Sequence, residues 1–421
     1  MTEQWTPPWG IEAGLGPGLI AFEWAWLLAF AALAGHLVQR WGGLPKVVGY
    51  AAVGTLAGLA GLSGAAWPLQ GVGLFLLELG IAVVLFEAGA RLRLRWFRHN
   101  PMVLVQSLAE SVLTFVAAYA LLRALGLDVK VVRALAVIAV VASPAVLMRV
   151  VSDLRAGGPV TDRAVALTTL NTLYALTLGT AMLRTIDRGG GSLLESIAFS
   201  LLVLGASALA GALLAGLLMA ALRVLQPTSE DTAIVILALI AACAVGAGPL
   251  GGSAPLAALL GGLALRQVHP RPWVWPRQLG TAASVLSMVM FVLVSAMAVQ
   301  GRWGWGVMGA ALALIVVRAG AKVASLAVTA PGTGMSLRQT LWVGAALVPM
   351  SSVALLLTSQ FVVASHSVGS QVAAVALPVI LITELLGAVS VSVALYRSGE
   401  ATRPLRRPPP APPHSEQENR P

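Results

Sequence analysis

Charge is scarce in this sequence: only 10% of its 421 residues are Asp, Glu, Lys or Arg, whereas 58% are hydrophobic and the mean hydropathy is +0.86. So little charge cannot cover a soluble domain of this size, and the apolar surplus must face lipid. There is one cysteine, Cys243, inside an apolar run, which excludes an internal disulfide and leaves a packing role. The five histidines are scattered, and no Cys or His pair has metal-ligand spacing. A phosphate-binding loop and a nucleophile elbow are also missing. GLGPG, from Gly14, has no strand before it and is not a dinucleotide fingerprint. Neither an enzyme activity, a metal nor a cofactor is therefore expected. The opening segment MTEQWTPPWGIEAGLGPG lacks the basic region and short apolar core of a cleavable signal, so the first apolar run should persist as a helix.

What the chain has in abundance is apolar runs long enough to span a bilayer. About 13 are expected, over residues 17–39, 45–63, 70–90, 101–125, 131–151, 164–184, 193–222, 231–248, 251–266, 279–299, 303–329, 338–360 and 370–396. The formal net charge of +10 is a matter of topology. Arg40, Lys46, Arg91, Arg93, Arg95, Arg98, Arg155, Arg163, Arg223, Arg266, Arg271, Arg277, Arg338 and Arg397 fall on one side of these spans, and few basic residues fall on the other. By the positive-inside rule the N-terminus is outside and the C-terminus cytoplasmic, as expected of a multi-pass protein of a bacterial inner membrane. A nucleic-acid partner is not expected. The chain divides into a short extracytoplasmic start (1–16), one membrane domain (17–396) and a Pro-rich, charged cytoplasmic tail (397–421) expected to be disordered.

An N-outside start makes the six spans before the seventh opposite in direction to the six after it, which permits an inverted repeat. Corresponding spans carry matching breakers. The fifth contains VVASPAVLMRVV, with Ser143 and Pro144, and the twelfth contains AALVPMSSVALL, with Pro349, Ser351 and Ser352. A proline frees a backbone carbonyl, which in lipid must find a partner or line a polar cavity. Either both are ordinary kinks or the two breaks together frame a site.

Several segments, in order, resemble the monovalent cation/proton antiporter superfamily. LPKVVGYAAVGTLAGL from Leu44 and LLELGIAVVLFEAGARL from Leu76 are similar to its second and third helices; ASPAVLMRVV and AALVPMSSVALLL are similar to its two crossing helices. GPLGGSAPLAALLGGLALRQ resembles a Gly- and Ala-rich helix of the second half, and ITELLGAVSVSVALYRSGE from Ile382 its closing helix. The resemblance implies an all-α inverted-repeat bundle with two crossed broken helices, a homodimer, and elevator-type transport of sodium, potassium or protons.

Members that exchange cations for protons use an aspartate on the sixth helix, often after an asparagine. Here Asn171 matches the first position, Thr172 stands in place of the acid, and no carboxylate lies between Asp162 and Asp187. A threonine offers oxygens but carries no proton at ordinary pH. Basic residues do occur where the resemblance implies them: Arg318 and Lys322, four apart on one helix face. Arg318 is expected to face the bundle with a partner or to balance helix ends, and Lys322 to snorkel to the cytoplasmic surface. Three acids within spans remain as proton acceptors, Glu78, Glu110 and Glu384, of which Glu384 is the sharpest candidate because an ion pair with Arg318 is geometrically possible. Glu87 and Arg91, four apart, are expected to pair at the interface. The expected site thus comprises Ser143, Pro144, Asn171, Thr172, Arg318, Lys322, Pro349, Ser351 and Glu384. Three functions fit: cation:proton antiport; transport of an anion or neutral solute, if no acid stands beside Arg318; or a non-transporting membrane sensor or assembly partner.

Overall fold

The computed structural model describes residues 17–61, 67–69, 71–184, 193–226, 228–268, 277–301 and 303–402. Among them every regular element is a helix, and nine helical stretches are long and apolar enough to cross a membrane. In chain order the helices are α1 (Pro17–Gly42), α2 (Lys46–Leu59), α3 (Gly71–Arg91), α4 (Leu94–His99), α5 (Met102–Ala124), α6 (Val129–Val140), α7 (Pro144–Leu154) and α8 (Pro159–Leu183). They continue as α9 (Leu193–Val224), α10 (Glu230–Ala247), α11 (Ala254–Val268), α12 (Arg277–Ala298), α13 (Trp305–Val328), α14 (Leu337–Ala346), α15 (Ser352–Ala364) and α16 (His366–Arg397).

The two runs marked by proline are each split in two. At about 1.5 Å per residue, α6, α7, α14 and α15 are each roughly 15–20 Å long, too short to cross a hydrocarbon core of about 30 Å alone. Their ends are written locally. Asp128 caps α6 by accepting from the Lys130 backbone N–H at 2.8 Å. Ser143 caps α7, whose first residue, Pro144, lacks the N–H that a helix start leaves unpaired anyway. Ser336 and Gln339 form a capping box at the start of α14.

Packing repeats with a swap of partners. With α10–α12 matched to α1–α3, α13 to α5, α14–α15 to α6–α7, and α16 to α8, the contact of α3 on α11 corresponds to that of α12 on α2. Likewise α6 on α8 corresponds to α14 on α16, and α7 on α16 to α15 on α8. Small residues permit the tight crossings: a Cβ on Gly89 of α3 would lie 2.2 Å from the Leu259 carbonyl oxygen, and one on Gly262 of α11 would lie 2.1 Å from that of Phe86. The faces turned outward are apolar, as on α5 (Leu104, Leu108, Val112) and α9 (Leu202, Leu209, Leu213).

Three expectations are adjusted. Residues 94–99, within the Arg-rich connection, form the short helix α4, with Phe97 buried beneath it. The last helix runs to Arg397, so the expected tail begins too early. Residues 398–402 fold back on the α7–α8 turn, where the Glu400 carboxylate accepts from the Val160 and Thr161 backbone N–H groups, both at 2.7 Å, and from the Thr161 hydroxyl at 2.6 Å. A carboxylate satisfying orphan N–H groups at a helix start is a stabilising arrangement. The segments 1–16 and 403–421, assigned above to the N-terminal start and the tail, lie outside the described residues.

Candidate functional site

The two breaks meet. The Ser143 backbone N–H, in the gap between α6 and α7, donates to the Pro349 carbonyl, in the gap between α14 and α15, at 2.8 Å. Each gap exposes the carbonyl end of one short helix and the N–H end of another, and these backbone groups are buried away from water.

Arg318, at the middle of α13 and fully buried, serves both carbonyl ends at once. Its Nε donates to Ala139 O at 2.7 Å, one terminal nitrogen to Val141 O and the other to Val348 O. Three donors in a planar fork thus join the end of α6 to the end of α14. No bond joins Arg318 to Glu384 or Glu110, so the expected ion pair with Glu384 is not formed; the helix ends are its partners.

One turn along, Lys322 does not snorkel. It is fully buried, and its ammonium pairs with the carboxylate of Glu110 on α5 while donating to Val140 O at 3.2 Å. Snorkelling requires a free path to the interface, whereas α13 packs this face against α5 and a carboxylate waits there. Glu110, also fully buried, accepts from Asn171 Nδ2 at 2.5 Å and from the Thr114 hydroxyl at 3.2 Å, and Ser111 donates to Asn171 Oδ1 at 3.0 Å. The neighbouring Thr172 hydroxyl lies 3.1 Å from Ala142 O and 2.8 Å from Thr168 O. Four consecutive carbonyls, 139 to 142, are therefore met by Arg318, Lys322, Arg318 again and Thr172.

The second break repeats the threonine. Thr383 on α16 faces Met350 O at 3.4 Å and Val379 O at 2.6 Å, the same pairing that Thr172 makes with the residue before the break serine and with its own helix. It differs in its acid. Glu384 is fully buried and accepts from Ser295 of α12 at 2.9 Å and from Ser351 at 3.0 Å, with no cationic side chain bonded to it among the described residues.

Residues 27–396 match the family described as sodium/hydrogen exchanger, transmembrane. The chain belongs to the sodium/hydrogen exchanger family. A sequence search of curated proteins finds no match. Among solved structures, the exchanger resembles the sodium proton antiporter MjNhaP1 from Methanocaldococcus jannaschii in two determinations. The one at pH 8 gives a TM-score of 0.67 at 16% identity, covering 90% of this chain and 98% of the other. A map from electron microscopy gives 0.70 at 16% identity, covering 94% and 100%. At that identity the likeness establishes the fold, an inverted-repeat antiporter bundle.

Of the residues expected at the site, Ser143, Pro144, Asn171, Thr172, Arg318, Lys322, Pro349, Ser351 and Glu384 all lie at the two breaks or on helices that contact them. Glu110 is the residue that the reading of the exchanger's sequence undervalued. A signal was available: Gln106, Ser107, Glu110, Ser111 and Thr114 are a polar stripe at alternating three- and four-residue helical spacing on an otherwise apolar helix, and all five are buried. Glu78 lies half-buried on α3 without a bond to these residues, and Glu87 pairs with Arg91 at 2.8 Å on the surface, as expected.

Proposed function

We propose that this exchanger carries a monovalent cation, sodium foremost, against a proton, and that Glu110 and Lys322 replace the missing sixth-helix aspartate. The observation that carries the reading is the fully buried ion pair between them, set against Asn171 and the end of α6. Sodium is suggested by the family and by the structural relatives named as sodium proton antiporters.

The exchange balances on these two side chains. Glu110 is ionised and Lys322 protonated at the outset. An arriving cation takes the carboxylate, with the Ser111 and Thr114 hydroxyl oxygens and Asn171 Oδ1 supplying further oxygens. Deprived of its counter-charge in a low-dielectric site, Lys322 gives up one proton to the aqueous side and stays neutral against Val140 O. Reversal on the other side returns the proton and releases the cation. Arg318 does not exchange; it holds the two crossing helices as one unit. Ser143 and Pro144 start α7, and Pro349 and Ser351 start the corresponding turn into α15. Movement of α5–α8 with α13–α16 against the remaining helices, in a homodimer with its N-terminus outside and C-terminus cytoplasmic in a bacterial inner membrane, is the elevator form of this reading.

An anion or neutral solute was expected to fit if no acid stood beside Arg318; Glu110, paired with Lys322 one turn along the same helix, speaks against that reading. The test is proton flux in proteoliposomes containing a pH dye, driven by sodium, potassium or lithium. Cation-driven flux is expected from the native protein, and clearly less from Glu110→Gln and from the doubly neutral Glu110→Gln/Lys322→Gln, which keeps a hydrogen-bonded pair in place. Flux undiminished in the folded double variant would overturn the assignment.

A further inference from the structure

Glu384 is the buried acid that the exchange at Glu110 leaves unused. Its side chain is fully buried, each carboxyl oxygen accepts one serine hydroxyl, and those serines come from different elements, Ser295 on α12 and Ser351 at the start of α15. The charged groups on the helices packed against α16 are engaged elsewhere or lie at helix ends. Arg318 bonds carbonyls of both breaks, Lys322 pairs with Glu110, and Arg149 of α7 bonds the Tyr50 hydroxyl and faces Asp153. Lys46 begins α2 and Lys130 lies in the first turn of α6, both part-exposed, while Arg133 and Arg338 are exposed. An ionised carboxylate left without a cation in such a place is too costly to persist, so the arrangement suits a neutral acid or a carboxylate with a bound cation. Two carboxyl oxygens and two hydroxyl oxygens converge there, an all-oxygen set of the kind that hard cations take.

We propose that Glu384, with Ser295 and Ser351, is a second exchange site, which releases one proton for each monovalent cation it binds. In that step the Glu384 O–H bond breaks, the proton leaves to water, and the cation takes its place between the carboxylate and the two hydroxyl oxygens. The proposal rests on the reading of the protein as a cation:proton exchanger but not on the role of Glu110.

The test is proton release on adding sodium or potassium chloride to the purified full-length protein in lightly buffered detergent near neutral pH, with bound cation counted by equilibrium dialysis. Two protons released and two cations bound per chain are expected in the native protein, falling to one of each in Glu384→Gln. Loss of the other one in the Glu110→Gln/Lys322→Gln variant would complete the separation. A native count of one that Glu384→Gln leaves unchanged would overturn the second site while leaving the Glu110 exchange intact. Release that disappears in Glu384→Gln and persists in the double variant would support Glu384 and overturn Glu110. Release in none of them would overturn both. If Glu384→Gln does not fold, Ser295→Ala serves: it keeps the acid but removes one oxygen, and weakening of one of the two binding events by about tenfold is expected. Unchanged affinity at both would overturn the proposal.

Discussion

The two broken-helix regions are built on one frame and charged differently. In each, a serine sits at the start of the second short helix, the carbonyl before it faces a threonine from the helix that follows in sequence (Thr172 or Thr383), and Arg318 supplies the carbonyl end of the first short helix. The first region adds a paired acid and base, Glu110 and Lys322. The second adds a lone acid, Glu384, between two hydroxyls. The difference teaches that the frame solves a backbone problem, the unpaired groups at four helix ends, while the acids solve a separate one.

Perturbing the shared frame should have the largest effect. Arg318→Met leaves at least three buried carbonyls unserved, at about 1–3 kcal/mol each, so loss of folded protein or a drop in Tm exceeding that of any other variant here is expected in a thermal-shift measurement. A small change in Tm would show that the two ends do not depend on one guanidinium. The acids should then separate the regions. Glu110→Gln strands Lys322 and should cost about 3–5 kcal/mol, most of it recovered in Glu110→Gln/Lys322→Gln, whereas Glu384→Gln strands no charge and should cost far less by the same measurement. Equal costs would erase the contrast drawn between the regions.

Smaller effects sharpen it. Thr172→Val and Thr383→Val each remove one hydroxyl from a buried break carbonyl. A loss of about 1 kcal/mol is expected for each, somewhat more for Thr172, whose contact is 3.1 Å against 3.4 Å. Ser143→Ala should cost about 1 kcal/mol through loss of the α7 cap, while Ser351, whose hydroxyl serves Glu384 instead of a helix N–H, should show its effect in cation binding more than in Tm. Smallest and most local, Glu400→Ala should cost about 1 kcal/mol and speed hydrogen exchange at the first turn of α8 without altering the rest.

Much of this was legible one helix at a time. Ser143-Pro144 marks the first break because a serine cap and a proline lacking N–H act on their immediate neighbours, and Pro349 marks the second because it cannot donate within a helix. Arg318 announced a buried role because a guanidinium at membrane depth is expensive without partners. Snorkelling of Lys322 and the ion pair possible between Glu384 and Arg318 are both absent from the structure, because each depends on which faces of distant helices meet. Likewise Glu400 reads as part of a solvated tail until the turn that it caps is folded beneath it.

The sequence by itself determined that the chain lies in a membrane, where its two breaks fall, and that a threonine, Thr172, follows Asn171 on the helix after the first break, since apolar runs, caps and prolines all act over a few residues. Only the tertiary structure decided that Glu110 meets Lys322, 212 residues away, and that Glu384 meets none of the buried cations. Periodicity can place a side chain on a helix face, but packing alone selects which other face it meets, and in a bilayer that choice decides whether a buried charge is paired.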